Sequence, residues 1–185
     1  MRNEKVRMLC EGALCVAMSV VLSYVKLDVG PSGGSINATM IPLILFAIRW
    51  GTGWGVGAAL VFGTLKYFIG EGLVISWVSI IFDYTVAYGM VGLAGVLKRK
   101  ANLAWLAALI GCVARFVVHY ISGVTVYAQW MPEEFLGMTM TSTWFYSALY
   151  NFFYMIPSTI IAVVAVFALS QVAPVRKWLE GANLK

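Results

Sequence analysis

Apolar residues occupy this chain in long runs, and polar residues fall mostly in the gaps between them. Six runs stand out, at about 6–27, 37–49, 52–70, 73–97, 102–128 and 142–172. Such runs predict membrane-spanning helices, because a hydrocarbon core of roughly 30 Å takes about 20 residues at about 1.5 Å each. A transmembrane barrel would instead show roughly ten-residue segments of alternating polarity. The second run is short, about 20 Å as a helix, so it sits off-centre or is supplemented by the loop before it. That loop, DVGPSGGSIN, is rich in Gly, Pro and Ser and cannot continue a helix. The run from Met8 to Val25 is longer than a signal-peptide core and lacks a small-x-small cleavage site, so it reads as the first span. The expected fold is an all-α integral membrane protein, a bundle of six transmembrane helices in a single domain over residues 1–185.

Composition agrees with that pattern. Of 185 residues 61% are hydrophobic and 11% charged, and the mean hydropathy of +0.85 lies far outside the soluble range. The net charge of +5 comes from basic residues at the ends of apolar runs, where they orient a chain in the membrane and do not suggest nucleic acid. Arg2, Lys5 and Arg7, then Arg49, then Lys98, Arg99 and Lys100, and finally Arg176, Lys177 and Lys185 mark one side. Asp28, Glu71, Glu133 and Glu134 mark the other. The positive-inside rule then puts both termini in the cytoplasm, and only an even number of crossings satisfies it. Cys10, Cys15 and Cys112 are odd in number and sit in apolar segments, so they read as small buried hydrophobes. Gly53 with Gly57, and Ala13 with Ala17, are small residues one turn apart, a spacing that lets helices approach closely in lipid.

Ionisable groups inside the runs carry the functional signal, since their burial in lipid is costly and they usually line a cavity or pathway. Asp83 and Tyr84 lie in the fourth run. Arg115, His119, Gly123 and Tyr127 recur at intervals of four in the fifth and form one stripe. Tyr146 and Asn151 lie in the sixth. Lys66, near the outer end of the third, is placed to snorkel to the interface. Counted inward, Asp83, His119 and Asn151 each lie about 15 Å below the outer surface, so one cavity can hold all three. The bland alternatives are a structural ion pair of Asp83 with Arg115, a satisfied core histidine, and an interfacial aromatic belt of Tyr127, Trp130 and Trp144. Together the groups suit a heteroaromatic, cationic ligand: aromatic faces and Asp83 attract the charge, and Asn151 and His119 fix orientation.

The chain contains no GxxxxGK[ST] phosphate loop, and GTGWGVG has the wrong spacing for a nucleotide fingerprint. Neither HExxH nor CxxC occurs, so no metal and no cofactor is expected. A serine hydrolase built on His119 lacks a GxSxG elbow. These absences point away from an enzyme.

Four blocks carry a family resemblance: GGSINATMIPLILFAIRWG, FDYTVAYGMVGLAG, RFVVHYISGVTVYAQW and WFYSALYNFFYMIPS. They resemble the signature regions of the thiamine-specific substrate-binding (S) component of energy-coupling factor (ECF) vitamin transporters, over about nine-tenths of the chain. The resemblance implies a six-helix subunit of the bacterial cell membrane that captures thiamine from outside with high affinity. It also implies docking on one transmembrane coupling protein and two cytoplasmic ATPase subunits, with membrane lipid around it. The family's ligand contacts fall on Asp83, where many members have Glu, and on Tyr84, His119, Tyr146 and Asn151. A ring-stacking tryptophan of some relatives aligns with Tyr127. The loop at 30–37 resembles the family's lid, without the lid tryptophan of some members, leaving Pro31 to Asn37 to cover the ligand. Ala13 and Ala17 match its AxxxA docking surface. The alternatives are an S component for another vitamin and a self-sufficient ion-coupled carrier, against which stands the absence of repeated halves in the sequence.

Overall fold

In a computed structural model of the chain, residues 2–29, 34–69 and 76–181 are described. Seven helices occur among them: α1 (Arg2–Ser23), α2 (Met40–Trp50), α3 (Thr52–Phe68), α4 (Trp77–Leu97), α5 (Ala101–Thr125), α6 (Thr143–Gln171) and α7 (Ala173–Glu180). The count differs from the expected six because α7, an amphipathic helix, packs on the end of the bundle with Leu179 fully buried. Four helices, α1, α4, α5 and α6, are long and apolar enough to cross a membrane.

The packing is that of a bundle in lipid. Along α1 the buried positions Met8, Gly12, Cys15, Val16, Ser19 and Ser23 follow the helical period, while Leu9, Leu14, Met18 and Val21 point outward. On α6 the inward face carries small and polar groups and the outward face Phe152, Phe153, Ile156 and Ile160. Polar atoms therefore gather inside, because the outer face has no water to satisfy them. The short α2 is buried nearly all round, and Met40, Leu43, Ile44, Ala47 and Ile48 form the centre of the core with Phe62, Tyr88 and Val91. Its length follows from that central position.

Several boundaries differ from expectation. The first run ends at Ser23, and Lys26–Val29 (β1) pairs antiparallel with Gly34–Asn37 (β2) in a hairpin. A second hairpin joins Glu134–Phe135 (β3) to Met138–Thr139 (β4). The fifth run leaves the helix after Thr125, two residues short of Tyr127. Glu71 and Pro31 lie outside the described residues. Gly53 and Gly57 meet no neighbouring side chain or backbone; it is Gly55 and Gly92 that bring α3 and α4 into backbone contact. Cys10 is exposed on the outer face of α1, whereas Cys15 and Cys112 are buried, and all three are free thiols.

Candidate functional site

α4 is irregular where it carries its acidic residue. Ser76 and Ser79 form a reciprocal capping box at its start, and Ile80–Val86 then adopts a π-helical turn. Asp83 sits within that turn, 9% exposed, with Oδ1 3.4 Å from Nδ1 of His119 on α5. Among the described residues neither oxygen of this carboxylate has a hydrogen-bond partner, and neither does Nε2 of His119. Buried polar atoms are normally satisfied, and an unbonded carboxylate in an apolar interior costs several kcal/mol, at least ~2. Here the two residues border a cavity.

The floor of that space is basic. The Arg115 guanidinium lies over the ring of Tyr88, 4.1 Å from its centroid, and its Nε has no acceptor among the described residues. The carboxylate's ionic neighbour is thus His119, and the alternative pairing of Asp83 with Arg115 is not formed. Lys66 is 6% exposed and donates from Nζ to the Tyr88 hydroxyl at 3.2 Å. It does not snorkel: the helix turns it inward to a phenol oxygen that accepts its hydrogen bond.

The wall belongs to α6. Tyr146, Tyr150 and Tyr154 succeed one another at intervals of four, with ring centroids 5.8 and 5.5 Å apart. Asn151 lies between them, its Nδ2 donating to the Ser147 carbonyl at 2.8 Å and its Oδ1 accepting from Tyr154 at 2.8 Å. Its Nδ2 also lies 3.5 Å from the carbonyl of His119, so it ties α6 to α5 at the level of the imidazole. Gly123 makes this approach possible, because a methyl group there would overlap the Ser147 hydroxyl. The β1–β2 hairpin closes one side: the Tyr150 hydroxyl accepts from the Gly34 amide at 2.8 Å and donates to the Val29 carbonyl at 3.3 Å.

These elements line a partly open cavity of about 90 Å³. Asp83, Tyr84, His119, Gly123, Tyr127, Tyr146 and Asn151 all line it. Trp130 lines it too, although it is as exposed as Trp144, which stands outside the lining and packs on the ring of Tyr120. No group of three or more potential metal-ligating side chains occurs among the described residues.

Residues 9–177 match the thiamine transporter protein (Thia_YuaJ) family. The chain belongs to this family. The thiamine transporter ThiT of Bacillus subtilis is 31% identical, over 94% of this chain and 95% of that one. ThiT of Lacticaseibacillus paracasei is 28% identical, over 94% of this chain and 91% of its own length. A solved structure of ThiT from Listeria monocytogenes has the same fold, with a TM-score of 0.82 at 24% identity, covering 93% of this chain and 97% of that one.

Within this member of the thiamine transporter family, sequence reasoning missed part of the cavity. Tyr150 and Tyr154 extend the stripe begun by Tyr146, and their fourfold spacing in YSALYNFFY was a readable signal. Tyr88 and Ser147 carried no such signal, since single hydroxyls are common in membrane helices.

Proposed function

We propose that this chain is the thiamine-binding membrane subunit of an ECF-type uptake system. One observation carries the reading: Asp83, a buried carboxylate with no hydrogen-bond partner among the described residues, borders a cavity walled by tyrosines. A thiazolium ring brings the positive charge that such a carboxylate lacks and the flat face that tyrosines stack against. Tyr84, His119 and Tyr146 contact the rings, Tyr127 stacks at the mouth, Gly123 leaves room beside His119, and Asn151 shares its amide oxygen with the ligand. The chain's membership of a thiamine transporter family, and relatives named as thiamine transporters, support this substrate over other vitamins.

The chain crosses the membrane six times through α1 to α6 as one domain. Its two short helices complete their crossings with the hairpin and loops beside them. Arg7, Arg49 and Arg99 gather at one end of the bundle, supporting a cytoplasmic location for that end and for both termini. The cavity opens toward the other end, where Gly34 and Ser35 of the hairpin form part of its lining and act as a lid. ATP hydrolysis belongs to two partner subunits, reached through a transmembrane coupling protein. An apolar groove between α1 and α3, in which Ala13 and Ala17 are exposed, is the docking surface for that protein.

Titrating the purified protein with thiamine, riboflavin, biotin and pyridoxine, followed by tryptophan quenching, tests the reading. Saturable quenching by thiamine alone is expected, and preference for another vitamin sinks the assignment. The His119–Asp83 pair at 3.4 Å also suits a proton relay in a self-sufficient carrier. Thiamine accumulation by vesicles holding this chain alone would favour that second reading.

A further inference from the structure

The π turn of α4 has a consequence for where Asp83 points. In an α-helix residues five apart stand about 140° apart around the axis, so Asp83 and Tyr88 could not share a face. A π turn bonds each amide to the carbonyl five residues back, which widens the turn and brings such residues much nearer to one face. The Ala87 amide bonds in this way to the carbonyl of Phe82. Asp83, Tyr84 and Tyr88 all line the cavity as a result.

The wide turn needs space on the neighbouring helix, and α3 supplies it at Gly63. A methyl group on Gly63 would overlap the carbonyl oxygen of Tyr84, and would stand 2.9 Å from its carbonyl carbon and 3.2 Å from the Cβ of Tyr88. Three residues further along α3 is Lys66, which bonds Tyr88 at the cavity floor. A change in spacing at Gly63 therefore moves the carboxylate, the phenol and the ammonium group together.

We propose that Gly63 is a positioning residue for the binding site: it admits the π turn and so aims Asp83 into the cavity. The inference rests on the proposed thiamine site. Gly92 supplies the control, since a methyl there would overlap the α3 backbone at Val56 just as severely, away from the cavity lining.

Gly63→Ala is expected to raise the thiamine Kd about tenfold or more, while Gly92→Ala lowers thermal stability and leaves Kd within about twofold. In an Asp83→Asn background, Gly63→Ala should cost less than about threefold further, because the group it positions is gone. Equal effects of the two glycine variants on Kd, or an undiminished effect in the Asp83→Asn background, overturn the proposal. If Gly63→Ala does not fold, deletion of the outward-facing Ile81 removes the extra residue of the turn and should abolish binding; retained affinity overturns the proposal. Failure of the wild type to bind thiamine would sink the substrate assignment instead. The rate at which a methanethiosulfonate reagent labels Asp83→Cys then decides: Gly63→Ala should slow it, and an unchanged rate overturns the role of Gly63.

Discussion

Buried ionisable side chains form two clusters in this bundle, one at each end, and they are built differently. At the end assigned to the cytoplasm, Glu11 accepts from Arg7 at 2.7 Å and from the Trp50 indole at 2.7 Å, with the Arg49 guanidinium 3.6 Å away. Arg49 in turn lies over Trp50 and Trp178, so α7 is fastened to the same group. Two Arg49 nitrogens there are buried without a hydrogen-bond partner among the described residues, and so are both Asp83 oxygens and the far nitrogen of His119, but only the Asp83 group borders the tyrosine-walled cavity. The first cluster joins helices, and the second leaves its polar atoms waiting for something not made of this chain. The contrast shows that burial of charge does not by itself mark a binding site, whereas burial without partners around empty space does.

The sharpest way to break the comparison is to remove the single carboxylate at each end. Glu11→Ala strands the buried Arg49, and losing one partner of a buried pair should cost about 3 kcal/mol of stability, at the low end because Glu11 is partly exposed. Thermal unfolding in detergent should show a clear drop in Tm with thiamine Kd unchanged; altered affinity at unchanged Tm would merge the two clusters into one functional class. Asp83→Asn should do the reverse. Affinity falls by roughly 1–3 kcal/mol, about 5- to 150-fold, as the carboxylate's charge is lost. The ligand-free protein keeps or gains stability, because a buried carboxylate with no hydrogen-bond partner among the described residues has gone, and the stabilisation that saturating thiamine provides shrinks with affinity. A loss of ligand-free stability matching that of Glu11→Ala would show that Asp83 is structural after all.

Tyr150 sharpens the comparison from the side of the hairpin. Its hydroxyl serves both strands, accepting from Gly34 and donating to Val29. Tyr150→Phe keeps the ring contacts with Tyr146 and Tyr154 and deletes those two bonds, a loss of about 1 kcal/mol. Stopped-flow tryptophan fluorescence should show faster thiamine release, with the larger change in the off-rate. An unchanged off-rate would separate the hairpin from ligand retention.

What was legible in the sequence follows the same division. Depth along a spanning helix is a one-dimensional quantity, so counting inward was enough to bring Asp83, His119 and Asn151 to one level before any coordinates. Direction around the helix is harder. Lys66 was expected at the interface, and its inward turn depends on a phenol from another helix. The π turn was invisible too, since nothing in IIFDYTV distinguishes it from α-helical sequence. Hydropathy also misjudged the outer helix ends. Val25 and Leu27 extend the first apolar run, yet Leu27 lies in β1, because a strand and a helix end can be equally apolar. Glu11 went unremarked for the same reason, as one acid among apolar neighbours.

Trp144 supplies the smallest and most discriminating test. Sequence reasoning placed it with Tyr127 and Trp130 in an interfacial aromatic belt, and the structure divides that trio. Tyr127 and Trp130 line the cavity, while Trp144, at the start of α6, does not and instead meets the Tyr120 ring at a 5.8 Å centroid separation. An exposed contact of that kind contributes within about 0.5 kcal/mol. Trp144→Leu should therefore leave thiamine Kd within about twofold, since the ligand never meets its ring. Trp130→Leu, by contrast, should weaken binding and remove part of the quenching signal, because that indole borders the cavity. Isothermal titration keeps the comparison independent of the deleted fluorophores. Equal losses in the two variants would mean that the mouth of the cavity extends to the start of α6, and that Trp144 belongs to the site.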